Sequence, residues 1–548
     1  MKNPIIMAVL LASVVNQSCQ RKETADFIVK NSVVYSVDSN FSIAGSFAVK
    51  DGRFAAVGTD REIEIKWISD KIYDLGGKSV YPGFYDAHCH FDGYAASLRK
   101  ADLRGTTSFA EICDRLVENQ KVNPTEWVQG RGWDQNDWVV KEFPDRSDLD
   151  KIFPEKPVYL TRIDGHAAAV NTAALKLAGI EESTSIKGGE IIKKNGRITG
   201  VLVDNAMDLV SRLVPDMSET EEAAALLQAQ KNCFAVGLTT VADAGIGTGT
   251  VQLMDRLQKD GQLKMRIFAM LAPTEQNFRE FVDKGIFKTD RLHVRSVKLY
   301  ADGALGSRGA LMLEPYSDAP EKSGLQVNET GYLKEMCQKC YDAGYQVETH
   351  CIGDSANRLI LTIYKDILKT KNDRRWRIEH AQIIHPDDFR LFGEYSVIPS
   401  VQSTHATSDM YWAGDRVGPV RIKGAYAYKQ LMQENGWIPN GSDFPIEQIN
   451  PLFGFFAGFA RMDPSGYPEG GWMMENALSR EESLKAMTIW AAKSCFEEKE
   501  RGSIEPGKMA DFVVLDQNIM KIEPLNVPKT KVLETWIGGE KVFAAGER

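Results

Sequence analysis

Between residues 81 and 442 the chain alternates short apolar runs, rich in Val, Ile and aromatic residues, with longer amphipathic stretches. Such alternation predicts βα units built on a parallel α/β sheet. The runs place strands near 81–88, 237–243, 265–271, 294–300, 345–350, 374–379, 396–402 and 436–442. Between the first two lies a stretch from about 100 to 230, more than one crossover needs. It has strand-like pieces of its own at 157–161, 189–192 and 197–201, and is expected to be an insert capping the site. The two ends keep a different rhythm. From 26 to 80 apolar and polar positions alternate in short runs, with Asp51-Gly52 as a turn, which predicts tight hairpins. The tail from Gly507 repeats that character. Residues 19–80 and 500–548 are therefore expected to meet in one β-sandwich beside a central domain at 81–499.

Composition changes this picture little. The chain has 548 residues, and 43% hydrophobic and 26% charged residues suit a soluble globular protein. A net charge of -9, with no basic stripe, counts against nucleic acid or an anionic membrane surface as partner.

The N-terminus departs from soluble character. Met1-Lys2 precedes an apolar run from Ile5 to Val15 and then Asn16-Gln17-Ser18-Cys19. A charged start, a short apolar core and a small residue before a cleavage point predict a signal peptide at 1–18. Cys19 after Ser18 resembles the lipobox of bacterial lipoproteins, although Asn16 stands where an aliphatic residue is usual. The expectation is an exported, periplasmic or cell-envelope lipoprotein anchored through Cys19; plain cleavage and an uncleaved anchor are the alternatives. The other seven cysteines are scattered and do not form a disulfide framework. Cys337 and Cys340 form a C-x-x-C in a helical stretch without a second pair, which predicts two buried thiols rather than a zinc site.

The chemistry sits at the strand ends. His88 and His90 close the first strand in V-Y-P-G-F-Y-D-A-H-C-H. Side chains two apart point the same way, so both imidazoles face one space and Cys89 the other. Lys298, His350 and His380 end later strands, and Asp443 follows the last one in G-S-D-F-P. A barrel gathers its strand ends at one face, where catalytic residues collect. Imidazoles with a carboxylate suit zinc, with iron or manganese as alternatives. Lys298 cannot ligate as an ammonium, so alone it reads as a strand lysine facing solvent or an anionic substrate.

These segments resemble the amidohydrolase superfamily from about residue 26 to the end. V-Y-P-G-F-Y-D-A-H-C-H and G-S-I-E-P-G-K-M-A-D-F-V-V-L carry the resemblance. K-L-Y-A-D-G-A-L-G-S-R, H-C-I-G-D, I-E-H-A and S-T-H-A-T-S-D-M-Y-W bring it close to the YtcJ-like branch that includes N-substituted formamide deformylase. Ser403 stands where that branch has a proline. The resemblance implies a (β/α)8 TIM barrel, a flanking sandwich from both ends and one or two divalent metals. It implies His88, His90 and Asp443 on one metal, His350 and His380 on the other, and Lys298 as a bridging carbamate. His166 and His405 fall in segments placed over the pocket and are candidates to act on the substrate carbonyl, with Asp443 moving the proton. Trp133, Asp134, Trp138, Tyr411 and Trp412 are candidate pocket walls, and Arg308 a candidate for an anionic group. His293 and His385 read as structural. The implied activity is attack of metal-activated hydroxide on the carbonyl of an amide, N-acyl or N-formyl bond in a small molecule, by a protein that forms a homodimer. A mononuclear deaminase or cyclic-amide hydrolase, and a lipoprotein that holds metal without catalysis, are the competing readings.

Overall fold

The computed structural model describes residues 22–546 apart from 123 and 216. The expected signal peptide and Cys19 anchor lie outside them. No helix among the described residues is long and apolar enough to cross a membrane.

Seven parallel strands form the central sheet: β1 (Phe84–Cys89), β2 (Leu238–Ile246), β3 (Arg266–Leu271), β4 (Leu292–Tyr300), β5 (Gln346–Cys351), β6 (Arg377–His380) and β7 (Ile398–Ser400). They pair in chain order, as expected when each strand returns through a helix. Their sequences are apolar on both faces because helices cover the outside and side chains fill the inside. Outside, Val294, Val297, Val347 and Ile378 join the main core; at the inner floor Tyr85, Ala87, Phe268 and Met270 pack on Ala491, Ala492 and Cys495.

The eighth stave corrects the expectation for 436–442. No regular strand forms there; the segment makes one parallel bridge, Val401 to Asn440, and then runs beside β1. Hydrogen bonds from Ala87 N to Asn440 O (3.3 Å), Asp443 N to His88 O (2.7 Å) and His90 N to Phe444 O (2.8 Å) close the ring. Pro439 has no N–H for a ladder. Gly441 lies so close that a Cβ there would sit 2.4 Å from His88 N. Only glycine permits that approach, and it brings Asp443 beside His88.

After β1 the chain builds a separate six-stranded mixed sheet between Ala101 and Asp204. It has an apolar cluster on each face, one around Leu103, Trp133 and Leu160, the other around Trp127, Leu175 and Leu202. Glu23–Thr24 pairs with Trp67–Ile68 in a small sheet, and the chain ends supply two larger ones. In one, Phe512–Leu515 pairs antiparallel with Ser79–Pro82, so both ends share a sheet. Phe27, Phe47, Val80, Phe512 and Trp536 form one apolar cluster drawn from both sheets. Arg266 of β3 donates to Asp511 through Nε (2.8 Å) and Nη2 (3.0 Å), fastening the barrel to the C-terminal strands.

Cys337 and Cys340 are buried on the helix Thr330–Asp342, matching their expected role as packed thiols. His293 is buried against Glu497 (3.2 Å), and His385 stands beside Asp387, both away from the barrel mouth.

Candidate metal and active site

Parallel pairing sets neighbouring strand ends at one height. Tyr300 lies opposite His350, His350 opposite Glu379, and Cys351 opposite His380. His88 and His90 point into the barrel mouth, while Cys89 packs outward in the main core. At His380 (φ 72°) and Asp443 (φ 62°) the backbone enters the left-handed region, costly for residues with a Cβ. Strain of this kind collects where a side chain must be aimed.

The arrangement of lone pairs shows what the site lacks in protein terms. His90 Nδ1 lies 3.1 Å from Ala244 O, and a carbonyl only accepts, so this nitrogen carries the proton. His88 Nδ1 lies 2.5 Å from the Glu379 carboxylate, which fixes the same tautomer. Both Nε2 atoms then present lone pairs, and both face Asp443 Oδ1, at 3.4 Å and 3.2 Å. Three acceptors converging on one point repel one another unless a cation lies among them. His88, His90 and Asp443 form one group with ligand atoms within 4.8 Å of one another. His380, His405 and Asp443 form a second. In that group His380 Nδ1, His405 Nε2 and Asp443 Oδ1 are buried without hydrogen-bond partners. Buried polar atoms are ordinarily paired, so this donor set fits a divalent cation. The Glu379–His88 contact is the outer-shell bond that metal-ligating histidines usually make.

Lys298 is fully buried, its Nζ 3.2 Å from His88 Nε2, and burial lowers its pKa against the pull of Glu379, Asp443 and Glu348. His350 is placed differently from His405. Its ring is 4.5 Å from that of His380, yet its Nε2 faces Gly303 O at 3.4 Å, and it belongs to neither three-ligand group. His166 reaches down from the insert; its Nδ1 is 2.7 Å from Asp204 Oδ1 and its ring 5.0 Å from His350.

A cavity of about 800 Å³ opens above these residues, walled by the insert on one side and barrel loops on the other. Asp134 and Trp412 line it. Asp134 is engaged with Arg162, and Trp412 stands against Gly306. Trp133 and Trp138 do not line the cavity; they are core residues of the insert, and Trp133 Nε1 donates to Leu160 O at 2.8 Å. Arg308 is turned to Asp318 (2.9 Å), and Tyr411 is exposed with its hydroxyl on Asp463, so neither faces the cavity. Sequence reading missed Glu379, Arg131, Arg162 and Asp204, which period and motif do not mark as site residues.

The amidohydrolase family profile matches residues 71–543. The protein LONG AFTER FAR-RED 3 of Arabidopsis thaliana is 34% identical over 95% of this chain and 92% of its own length. YtcJ of Bacillus subtilis (strain 168) is 31% identical over 90% and 95%, and N-substituted formamide deformylase of Arthrobacter pascens 26% over 94% and 97%. The crystal structure of an uncharacterized metal-dependent hydrolase from Pyrococcus horikoshii superposes with a TM-score of 0.73 at 27% identity, covering 91% of this chain and 99% of that one. The profile spans most of the chain and both the barrel and the ligand cluster lie within it: this protein belongs to the amidohydrolase family.

Proposed function

We propose that this protein hydrolyses a C–N bond, of amide, N-acyl or N-formyl type, in a small molecule. The carrying observation is the convergence of His88, His90, His380, His405 and Asp443 beneath the cavity, with His380 Nδ1, His405 Nε2 and Asp443 Oδ1 buried and unpaired. A divalent ion held there, zinc by preference of these ligands, would acidify water and polarise a carbonyl. The chain's own residues do the rest. Asp443 takes a proton from the attacking water through Oδ2, the oxygen that faces His405 Nε2 at 3.8 Å. The water oxygen forms the new C–O bond, and the same proton goes to the nitrogen as the C–N bond breaks. Burial works to lower His166, but Asp204 raises it above the ordinary imidazole range, so the doubly protonated ring is placed to donate from Nε2 to the substrate carbonyl. Lys298 is buried among these residues with a lowered pKa, which would favour the neutral amine; adding CO2 and losing a proton, it would become a carbamate able to help hold the metal. The flanking sheets are read as one composite sandwich, and the Ala101–Asp204 sheet as the lid.

Metal content per chain, measured by elemental mass spectrometry after purification with bicarbonate and no chelator, tests this reading together with turnover of an amide panel. About two metals and amide hydrolysis are expected. One metal with Lys298 unmodified, by intact mass, would favour a mononuclear deaminase or cyclic-amide hydrolase. Metal without turnover on any amide would favour a metal-holding protein that lacks catalysis. The N-terminal reading is separate: cells supplied with labelled palmitate should label this protein, and C19A should abolish the label. Persistent labelling would remove Cys19 as the anchor.

A further inference from the structure

The insert carries a guanidinium that the chain itself leaves unneutralised. Arg131 lies on the insert strand Val128–Trp133 and lines the cavity. Its Nη2 donates to Ile163 O at 3.2 Å, and its Nε is buried without a partner. No carboxylate forms an ion pair with it among the described residues. Its neighbours are treated otherwise. Arg162, on the adjacent strand, is held by both Asp134 and Asp164, and Arg104 is gripped by Asp102 at 2.9 and 2.7 Å. Asp164 and Asp443 are the carboxylates whose charge reaches Arg131, but one is engaged by Arg162 and the other by the histidine cluster.

A withdrawn guanidinium without a counter-ion is costly, and the cost is relieved when an anion arrives. The surroundings leave room for one. Gly165 (φ 76°) faces the guanidinium, and a Cβ there would stand 3.8 Å from Nη1. Because Arg131 and Asp443 line the same cavity, a group bound at Arg131 belongs to the molecule whose bond is cut at Asp443.

We propose that Arg131 is a specificity residue that binds a carboxylate of the substrate, so that the preferred amides are anionic, such as N-acylated amino acids. This rests on the amide-hydrolase reading. Arginine pairs with a carboxylate through two parallel N–H···O bonds, which fixes orientation as well as adding affinity. Neutral N-substituted amides would lack that hold.

The test uses the metal-loaded enzyme with N-formyl- and N-acetyl-amino acids of both hands, each paired with its carboxamide, which differs only in the charge. The readout is the acid-to-amide ratio of kcat/KM, or of Kd by calorimetry where a pair is not turned over. The wild type should favour the acid by roughly 10- to 100-fold, the range expected for one charged hydrogen-bonded contact. In R131M the ratio should fall toward one, and R131K should restore part of it. A ratio near one in the wild type would overturn the proposal. So would a ratio preserved in R131M, including the case where both partners slow alike, since that would make Arg131 a general support of the site. If no amide is cleaved, the hydrolase reading fails, while the Kd ratio and its dependence on Arg131 still decide whether a carboxylate binds there.

Discussion

Replacing Asp443 with Asn should lower kcat by roughly 10³-fold or more, near the upper range for removing a general acid–base group. Asn keeps the size and one acceptor oxygen, so the fold around Gly441 and the contact from Asp443 N to His88 O should persist. What disappears is the charge that balances the cation and the oxygen that accepts the water proton. Asp443 is shared by both three-ligand groups, which is why its loss should exceed that of any one histidine. Steady-state kinetics at saturating metal, with metal content measured on the same sample, separates the two losses. A D443N protein that keeps its metal and turns over within a few-fold of wild type would remove Asp443 from proton transfer.

The barrel and most of the residues that meet at its mouth are legible because strand ends carry them. His88, His90, Lys298 and His350 each close or follow a run whose apolar character gives the strand away, and period-two alternation tells which way His88 and His90 point. The same rule hides Glu379. Successive residues of a strand face opposite sides, so Glu379 and His380 should not serve one site together. The left-handed backbone at His380 breaks the alternation and turns its ring toward the site while Glu379 reaches His88. Trp133 misleads for a related reason: a tryptophan in a Gly- and Asp-rich segment looks like an exposed wall. It belongs to a strand of a sheet with its own apolar cluster, whose existence depends on non-local pairing. Arg131 was unmarked because its significance lies in what fails to pair with it, a fact of tertiary structure.

Arg377 should be the most expensive side chain to remove behind the site. It is fully buried on β6 and donates to Glu379 Oε1 (2.6 Å) and Ala87 O (2.7 Å), with Glu348 Oε1 at 3.5 Å and Ser494 Oγ at 3.3 Å. Burial tends to raise both glutamates; Arg377 and His88 hold Glu379 low, while burial leaves Glu348 raised. R377M would fill the space but leave two buried carboxylates without their cation, at a cost of ~3–5 kcal/mol. Because Glu379 orients His88, the same change should weaken metal binding. E379Q reaches the same His88 contact from the other partner: it keeps a hydrogen-bond acceptor for the His88 ring but loses the charge, and metal affinity should fall roughly 10- to 100-fold. R390M is the control, since Arg390 pairs with Glu394 at the surface, where such pairs contribute about 0–1 kcal/mol. Urea unfolding with and without metal, and metal titration against a competing chelator, would check all three. An R377M protein as stable as R390M and with unchanged metal affinity would show that the buried charges do not act through Arg377. R377M and E379Q break the same fully buried pair while R390M breaks an exposed one, and burial sets that difference: the same ion-pair chemistry is costly to break where water cannot replace the lost partner and nearly free where it can.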